Sequence, residues 1–434
     1  MLSINKTYCW LFVIAILIQI PSTHLFKFAD ELLVVPMMCL VGLDLLINHQ
    51  IKRYKVLWIV AGILALYAFY TIFFVGYNTP KAVVYDYIAQ IKPFCYFCVS
   101  YAVVPHFDAK MRRIVKNACL INSAIALFCV ATGLIEEVFS HVTYLGLVSM
   151  LSFMVYLMCS VDENGKVTRR NLLISLIMLT IGLGGTRSKF YGEYVMALYM
   201  LFMYTPGFAK NIKLKHILAF MLVGVLVFVV AWKKIEFYFI SGGTEGVMDE
   251  ESMQTLARPM LYAGMLMLLA LHPLLGSGMA SFATNASSTA VNYSEAYRVI
   301  GLDGVWGLSP GYDAFICDAF YPSLAQFGLV GIALFAFFFV WIYKRLGLLL
   351  HTQGKMLYSI GMMAIVVVMI ENIAATSFNQ ASGAMCMMIL GSIIASTRRM
   401  SKEEISEIKN LPYKEVGATE YIRKTKEKQQ YGKR

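Results

Sequence analysis

Residues 52–76, KRYKVLWIVAGILALYAFYTIFFVG, join a short basic connector to a long apolar run. The run from 56 to 76 is long enough to cross the hydrocarbon core of a bilayer, which takes about 20 apolar residues in a helix. Lysine and arginine beside such a run favour the cytoplasmic side of the membrane. This alternation of basic connector and apolar run recurs along the chain, and it predicts a helical membrane protein.

The composition supports this prediction over the whole chain. Of 434 residues, 59% are hydrophobic and 15% are charged, whereas a soluble domain has about 45–50% apolar and about 25% charged residues. We therefore expect an all-α, polytopic protein with about twelve transmembrane helices. The apolar runs lie near residues 8–26, 28–47, 56–76, 83–104, 114–134, 142–160, 171–185, 190–205, 214–232, 318–343, 356–376 and 380–397.

Lysine and arginine cluster on alternate connectors, which is the distribution expected when those connectors face the cytoplasm. Both termini are then cytoplasmic, and one long loop lies on the outer face. The net charge of +11 lies mainly in these connectors, so nucleic acid is not an expected partner, whereas the lipid bilayer is. The expected parts are 1–232 with spans one to nine, the long outer loop 233–317, 318–397 with spans ten to twelve, and the basic cytoplasmic tail 398–434.

Two basic residues depart from this distribution. Arg187 and Lys189 lie in GLGGTRSKFYG, residues 182–192, in a connector predicted on the outer face. Free N–H groups at a helix start attract anions, and a guanidinium beside an ammonium suits a phosphate or pyrophosphate. The alternatives are an interfacial anchor or an ion pair with Glu193, and the sequence does not decide among them.

Further candidates fall in or near the long loop. Arg258 opens a predicted helix that ends near Leu271, just before the turn HPLLGSG with His272. Arg298 and Tyr297 lie together in SEAYRVIG, and an aromatic ring beside polar groups can stack on a sugar, although packing explains a loop tyrosine equally simply. Lys92, within the fourth run, is expected to face a cavity.

Asp318 lies where the loop re-enters the membrane, a costly place for a carboxylate that is neither paired nor functional. Asp318 is therefore the preferred candidate for a general base, the group that accepts a proton from a reacting hydroxyl. The sequence alone does not rank it by distance against the other acidic residues predicted to face outward, which are Asp86, Glu193, Glu295, Asp303 and Asp313.

Three stretches resemble the O-antigen polymerase and O-antigen ligase superfamily of bacterial envelope enzymes. They are GGTRSKFYG at 184–192, LARPMLYAGMLMLLALHPLLGSGMASF at 256–282 and DAFYPSLAQFGLVGIALFAFF at 318–338. The resemblance implies an undecaprenyl-pyrophosphate-linked oligosaccharide as donor, transfer on the periplasmic face of the bacterial inner membrane, and no metal or other cofactor. Arg187 and Arg258 would then hold the pyrophosphate, with Lys189, Lys92, His272, Arg298 and Tyr297 as candidate substrate-binding residues.

Ligases of that superfamily carry a histidine at the loop's re-entry, where this chain has CDAF at 317–320. The departure favours a polymerase, which joins lipid-linked repeat units and can work with a chain-length regulator and a flippase. A ligase that transfers a finished glycan to lipid A-core, and a transporter or flippase of lipid-linked oligosaccharide, are the alternatives. Transporters tend to bind substrate at the midplane, whereas the exceptional charges here are predicted on one face.

Overall fold

The computed structural model describes residues 3–24, 28–49, 51–185, 187–204, 257–351 and 354–399. Within these ranges the regular structure is helical and contains no β-strand. Six of the described helices, α3, α4, α6, α8, α13 and α15, are long and apolar enough to cross a membrane. The helices are α1 Ile4–Leu17, α2 Pro21–His24, α3 Ala29–Asn48, α4 Lys55–Tyr70, α5 Pro80–Val103, α6 Ala109–Thr132, α7 Ile135–Phe139, α8 Val142–Ser160, α9 Arg169–Ile181, α10 Ser188–Tyr204, α11 Ala257–Leu271, α12 Ala296–Val299, α13 Gly328–Gly347, α14 Lys355–Glu371 and α15 Ala381–Ala395.

Each predicted apolar run within the described ranges contains a helix, although not every run is helical over its full length. The run at 214–232, the first part of the long loop up to residue 256, and residues 400–434 of the predicted tail lie outside the described residues. The helix predicted after Arg258 is confirmed, because α11 ends at Leu271. The chain thus has the character of a helical membrane protein, while the number of crossings stays a prediction.

One boundary differs from the prediction. The apolar run at 318–343 was expected to be helical throughout, but α13 begins only at Gly328, after a 3-10 segment at Tyr321–Phe327. The N–H groups of Leu329 and Val330 donate to the carbonyls of Pro273 and Leu274, at 2.8 and 3.1 Å. These carbonyls satisfy donors that the first turn of a helix leaves without partners. A contact from another part of the chain therefore determines where α13 begins.

Two glycines allow this contact. Gly276 and Gly328 both have positive φ, +78° and +60°, and a Cβ on either residue would collide with the backbone of the other. Glycine adopts such φ values readily and permits backbones to approach closely. HPLLGSG and QFGLVG, two of the stretches behind the resemblance, are therefore packed against one another.

Helix α15 lies at the centre of the bundle. Every residue of α15 except Ser392 is buried, as expected for a helix that is apolar on all sides. Its Gly391 packs directly against the backbone of α5 at Phe97. Small residues of this kind let membrane helices approach closely, and this one brings the last part of α15 against α5.

The connectors separate into two groups at opposite ends of the bundle. At one end, Arg53 Nε donates to the Ala102 carbonyl at 2.7 Å, and Arg112 donates to the Val161 carbonyl at 2.9 Å. At the other end, Asn78 donates to the Ala280 carbonyl at 2.7 Å. Connectors predicted to share a side thus meet at the same end. We call the end with Asn78 the outer end, following the sequence prediction.

Residues 272–327 fold over the outer end as a layer with its own apolar core, which includes Leu261 of α11, Phe282 and Leu302. Asn78 anchors this layer to the start of α5, since its amide also donates to the carbonyl of Asn292 at 2.9 Å. The layer covers the outer end of the bundle and brings Asp318 close to the start of α10 and the end of α14.

Candidate functional site

Arg187 directly precedes α10 and follows the glycine-rich 3-10 turn Gly182–Gly185. A Cβ on Gly185 would lie 2.7 Å from the Val142 carbonyl oxygen, so glycine lets this turn pack against the first turn of α8. The packing brings the Arg187 guanidinium to His141, with 3.0 Å between Nη2 and Nε2. Thr186 lies outside the described residues.

Two hydrogen-bond donors face the His141 ring. Arg187 approaches Nε2, and the Thr143 N–H points at Nδ1, at 3.2 Å. A neutral imidazole accepts at only one of its two nitrogens, so the tautomer of the ring determines which of the two donors is satisfied. Burial lowers the pKa of His141, and the positive charges of Arg187 and Lys189 lower it further.

Lys189 forms a buried ion pair. Its ammonium contacts Oε2 of Glu371, the last residue of α14, at 2.5 Å, and the Glu371 side chain is only 3% exposed. Glu193 is fully buried and lies within hydrogen-bond reach of the Glu371 carboxyl. Apart from that carboxyl, its oxygens have no hydrogen-bond partner among the described residues. The expected alternative, an Arg187–Glu193 pair, is not observed, because Arg187 contacts His141 instead.

Arg258 and Asp318 form a second ion pair, with 2.5 Å between Nη2 and Oδ2. Both side chains are about one-third exposed, at 31% and 29%. Burial raises the pKa of the Asp318 carboxyl, although Arg258 and Lys189 oppose the shift. The Nε of Arg258 is buried and has no partner among the described residues, which leaves a donor for another anion.

These groups share one region of the outer end. The Lys189 charge acts on both His141 and Asp318, and the Tyr262 hydroxyl of α11 donates to the Ile373 carbonyl, just beyond Glu371, at 2.9 Å. We refer to Arg187, His141, Lys189, Glu193, Glu371, Arg258 and Asp318 as the charged cluster. Its cations can bind a polyanion, and its carboxylates can accept a proton.

Three predicted residues belong to other contacts. His272 Nε2 lies 2.9 Å from the Tyr77 hydroxyl, and Arg298 forms an exposed ion pair with Glu295. Tyr297 is fully buried, and its hydroxyl accepts a hydrogen bond from the Ala283 N–H at 2.9 Å. The interpretation of Tyr297 as a ring that stacks on a sugar is therefore replaced by a packing role in the outer layer.

Lys92 does face a cavity, as predicted. Its ammonium contacts Glu31 at 3.3 Å, and the two residues line a polar cavity of about 320 Å³ near the outer ends of α2, α8 and α15. Ser140 and Tyr144 also line this cavity. They flank His141, so the cavity adjoins the charged cluster.

A second cavity is an apolar groove of about 380 Å³ between α4 and α13. The groove is lined by phenylalanines of α13, including Phe335 and Phe338, by residues of α4, and by Phe94 of α5, whose ring contacts that of Phe338. The groove extends from Lys55 at the inner end of α4 to Phe320 in the outer layer. Phe320 is two residues from Asp318, so the outer end of the groove adjoins the segment that carries this carboxylate.

Sequence reasoning missed His141, because a single histidine in a connector has no motif around it. In the part of the chain that the structure describes, no three His, Cys, Asp or Glu side chains are grouped closely enough to hold a metal ion. Comparison with protein-family models and with curated proteins found no match to this sequence.

Proposed function

We propose that this protein is a glycosyltransferase of the bacterial inner membrane that joins undecaprenyl-pyrophosphate-linked oligosaccharide repeat units, an O-antigen polymerase. The observation that carries the proposal is the charged cluster. Its three basic residues, Arg187, Lys189 and Arg258, lie at one end of an apolar helical bundle. Each lies beside a side chain that can accept a hydrogen bond or a proton. Clustered cations on one face suit a reaction on one side of a membrane.

The cluster matches the charge changes of the reaction. The acceptor hydroxyl oxygen bonds to the anomeric carbon of the donor, and the bond from that carbon to the pyrophosphate oxygen breaks. Negative charge then develops on the leaving pyrophosphate, where Arg187 and Arg258 stabilise it. The hydroxyl proton passes to Asp318, whose raised pKa makes it a better proton acceptor than an ordinary aspartate.

The Arg258–Asp318 ion pair indicates how binding of the donor pyrophosphate would free Asp318 to act as the general base. A pyrophosphate that contacts Arg258, beginning at its unpartnered Nε, competes with Asp318 for the guanidinium. As Asp318 loses this partner, its carboxylate becomes free to accept a hydrogen bond from the acceptor hydroxyl. Donor binding therefore precedes activation of the acceptor.

The apolar groove supports a lipid-linked substrate. It is lined mainly by aliphatic and aromatic side chains, and its outer end reaches Phe320, close to Asp318. A polyprenyl chain in this groove would leave its pyrophosphate at the outer end, beside the charged cluster. Apolar burial contributes about 25 cal/mol per Å², so the chain would supply much of the binding free energy.

The test uses the purified protein in vesicles with its lipid-linked repeat unit and no nucleotide. We expect a ladder of polymer lengths on a gel. Arg187→Ala and Arg258→Ala should each lower product by at least about 100-fold, the typical cost of removing one group that stabilises transition-state charge. Lys81→Ala removes an exposed lysine at the start of α5 and should leave the ladder unchanged.

Other results would contradict the proposal in recognisable ways. A finished glycan transferred only to lipid A-core would indicate a ligase. Single repeat units moved to the other leaflet without joining would indicate a transporter. A normal ladder from both arginine variants would exclude the charged cluster as the site.

A further inference from the structure

The polar cavity beside the charged cluster differs in chemistry from the rest of the bundle. It is lined by side-chain amides and hydroxyls from four separate segments, among them Gln19, Ser22, Asn285, Asn379, Gln380 and Ser382. Its volume of about 320 Å³ is at the lower end of the range for small-molecule sites. Convergent amides and hydroxyls are groups that can exchange hydrogen bonds with a hydroxyl-rich ligand.

The cavity carries little net charge. Lys92 and Glu31 are the charged residues in its described lining, and they form an ion pair with each other at 3.3 Å. A pyrophosphate would find no excess of positive charge here, in contrast to the charged cluster. The lining favours a polar ligand without net charge.

One lining atom lacks a partner. Oδ1 of Asn379 is buried and receives no hydrogen bond from the described residues. Buried polar atoms are nearly always hydrogen-bonded, and an exception indicates an absent partner. A ligand hydroxyl inside the cavity can donate to this oxygen.

The cavity is also placed to align a ligand with the charged cluster. Ser140 in its wall precedes His141, the partner of Arg187. On another wall, Asn285 accepts a hydrogen bond from the Cys317 thiol at 2.9 Å, and Cys317 precedes Asp318. The cavity lining is therefore one residue along the chain from His141, and it is connected to the residue before Asp318 by the hydrogen bond between Asn285 and Cys317.

From these observations we infer that the polar cavity is a saccharide-binding subsite, which holds the uncharged sugar end of the acceptor while the charged cluster holds the donor pyrophosphate. The inference rests on the proposed function for the identity of the acceptor. The binding of an uncharged saccharide, however, is a separate property that can be measured without turnover.

The test measures binding of two soluble probes to full-length protein in detergent by calorimetry: the repeat-unit saccharide released from its lipid, and inorganic pyrophosphate. Asn379→Leu keeps the branched shape of the original side chain but removes the buried acceptor. We expect it to lower saccharide affinity at least ten-fold and to leave pyrophosphate affinity unchanged. Arg187→Ala should show the reverse pattern.

Two further variants complete the design. Ser22→Leu narrows the cavity from a different segment of its lining and should also lower saccharide affinity. This second variant is a control for a folding defect specific to Asn379→Leu. Asn164→Leu alters an exposed asparagine in an inner connector and should have no effect on either probe.

The outcomes separate this inference from the proposed function. Unchanged saccharide affinity in Asn379→Leu and Ser22→Leu, or no saccharide binding by the unmodified protein, overturns the subsite while a polymer ladder still supports the polymerase. Saccharide binding lost in both variants supports the subsite even if no ladder forms in vesicles. In that event the saccharide-binding subsite is supported and the proposed polymerase activity is not.

Discussion

The ion pair between Lys189 and Glu371 allows a direct test of how the bundle tolerates buried carboxyl groups. Lys189→Met keeps an aliphatic side chain and removes the ammonium. It leaves Glu371, 3% exposed, beside the fully buried Glu193. Removal of one partner from a buried ion pair costs about 3–5 kcal/mol, so we expect the free energy of unfolding to fall by this amount.

The double variant Lys189→Met/Glu371→Gln should recover most of the loss, because a neutral pair no longer requires a counter-charge in a buried site. The coupling energy of this double-mutant cycle should exceed about 2 kcal/mol. Unfolding can be followed by circular dichroism during titration with a denaturing detergent. The matched control is the exposed pair Arg298 and Glu295, 55% and 54% exposed, for which Met and Gln replacements should give a coupling of about 0.2–1 kcal/mol.

Equal coupling energies for the two pairs would refute the reasoning. That result would mean that water reaches Glu371 as freely as it reaches Glu295. A double variant as unstable as the sum of the single ones would refute it too, since the ammonium would then stabilise the fold independently of Glu371.

The remaining predictions concern the glycine contact and His141. Gly276→Ala should lower the free energy of unfolding by about 2–5 kcal/mol, because it adds backbone strain of about 1–2 kcal/mol to a collision with Gly328. The control is Gly301→Ala, at φ +68° but in open space, which should show only the strain. Because the native state lowers the pKa of His141, the unfolded chain binds more protons below about pH 6.5, and stability should fall as pH decreases from 6.5 to the native pKa. His141→Gln should remove this part of the pH dependence, and thermal unfolding at several pH values can measure the change. If stability depended on pH identically in the variant and in the unmodified protein, Arg187 would not depend on a neutral His141 ring.

The helices were predictable because their cause is local. An apolar run such as 56–76 must satisfy its own backbone hydrogen bonds in lipid, and a helix does so within the segment. The start of α13 was not predictable in this way. Its first N–H groups are satisfied by carbonyls of Pro273 and Leu274, more than 50 residues earlier in the chain, so the boundary depends on tertiary packing.

The same distinction holds for the candidate site. Arg187, Lys189, Arg258 and Asp318 attract attention in the sequence, because charge is costly near apolar runs. Their partners depend on which helix ends meet, which no spacing encodes. Tyr297 shows the opposite error: a tyrosine near charged residues resembles a ligand-binding residue until its burial is known.

The contact of Gly276 with Gly328 has a mechanical consequence. Helix α13 forms one wall of the apolar groove, and its first turn is hydrogen-bonded to the turn at 273–274. Because the two backbones are in direct contact, a tilt of α13 would displace this turn as well, and the turn belongs to the outer layer that contains Asp318. A membrane that changed the tilt of α13 would therefore change the groove and the outer layer together.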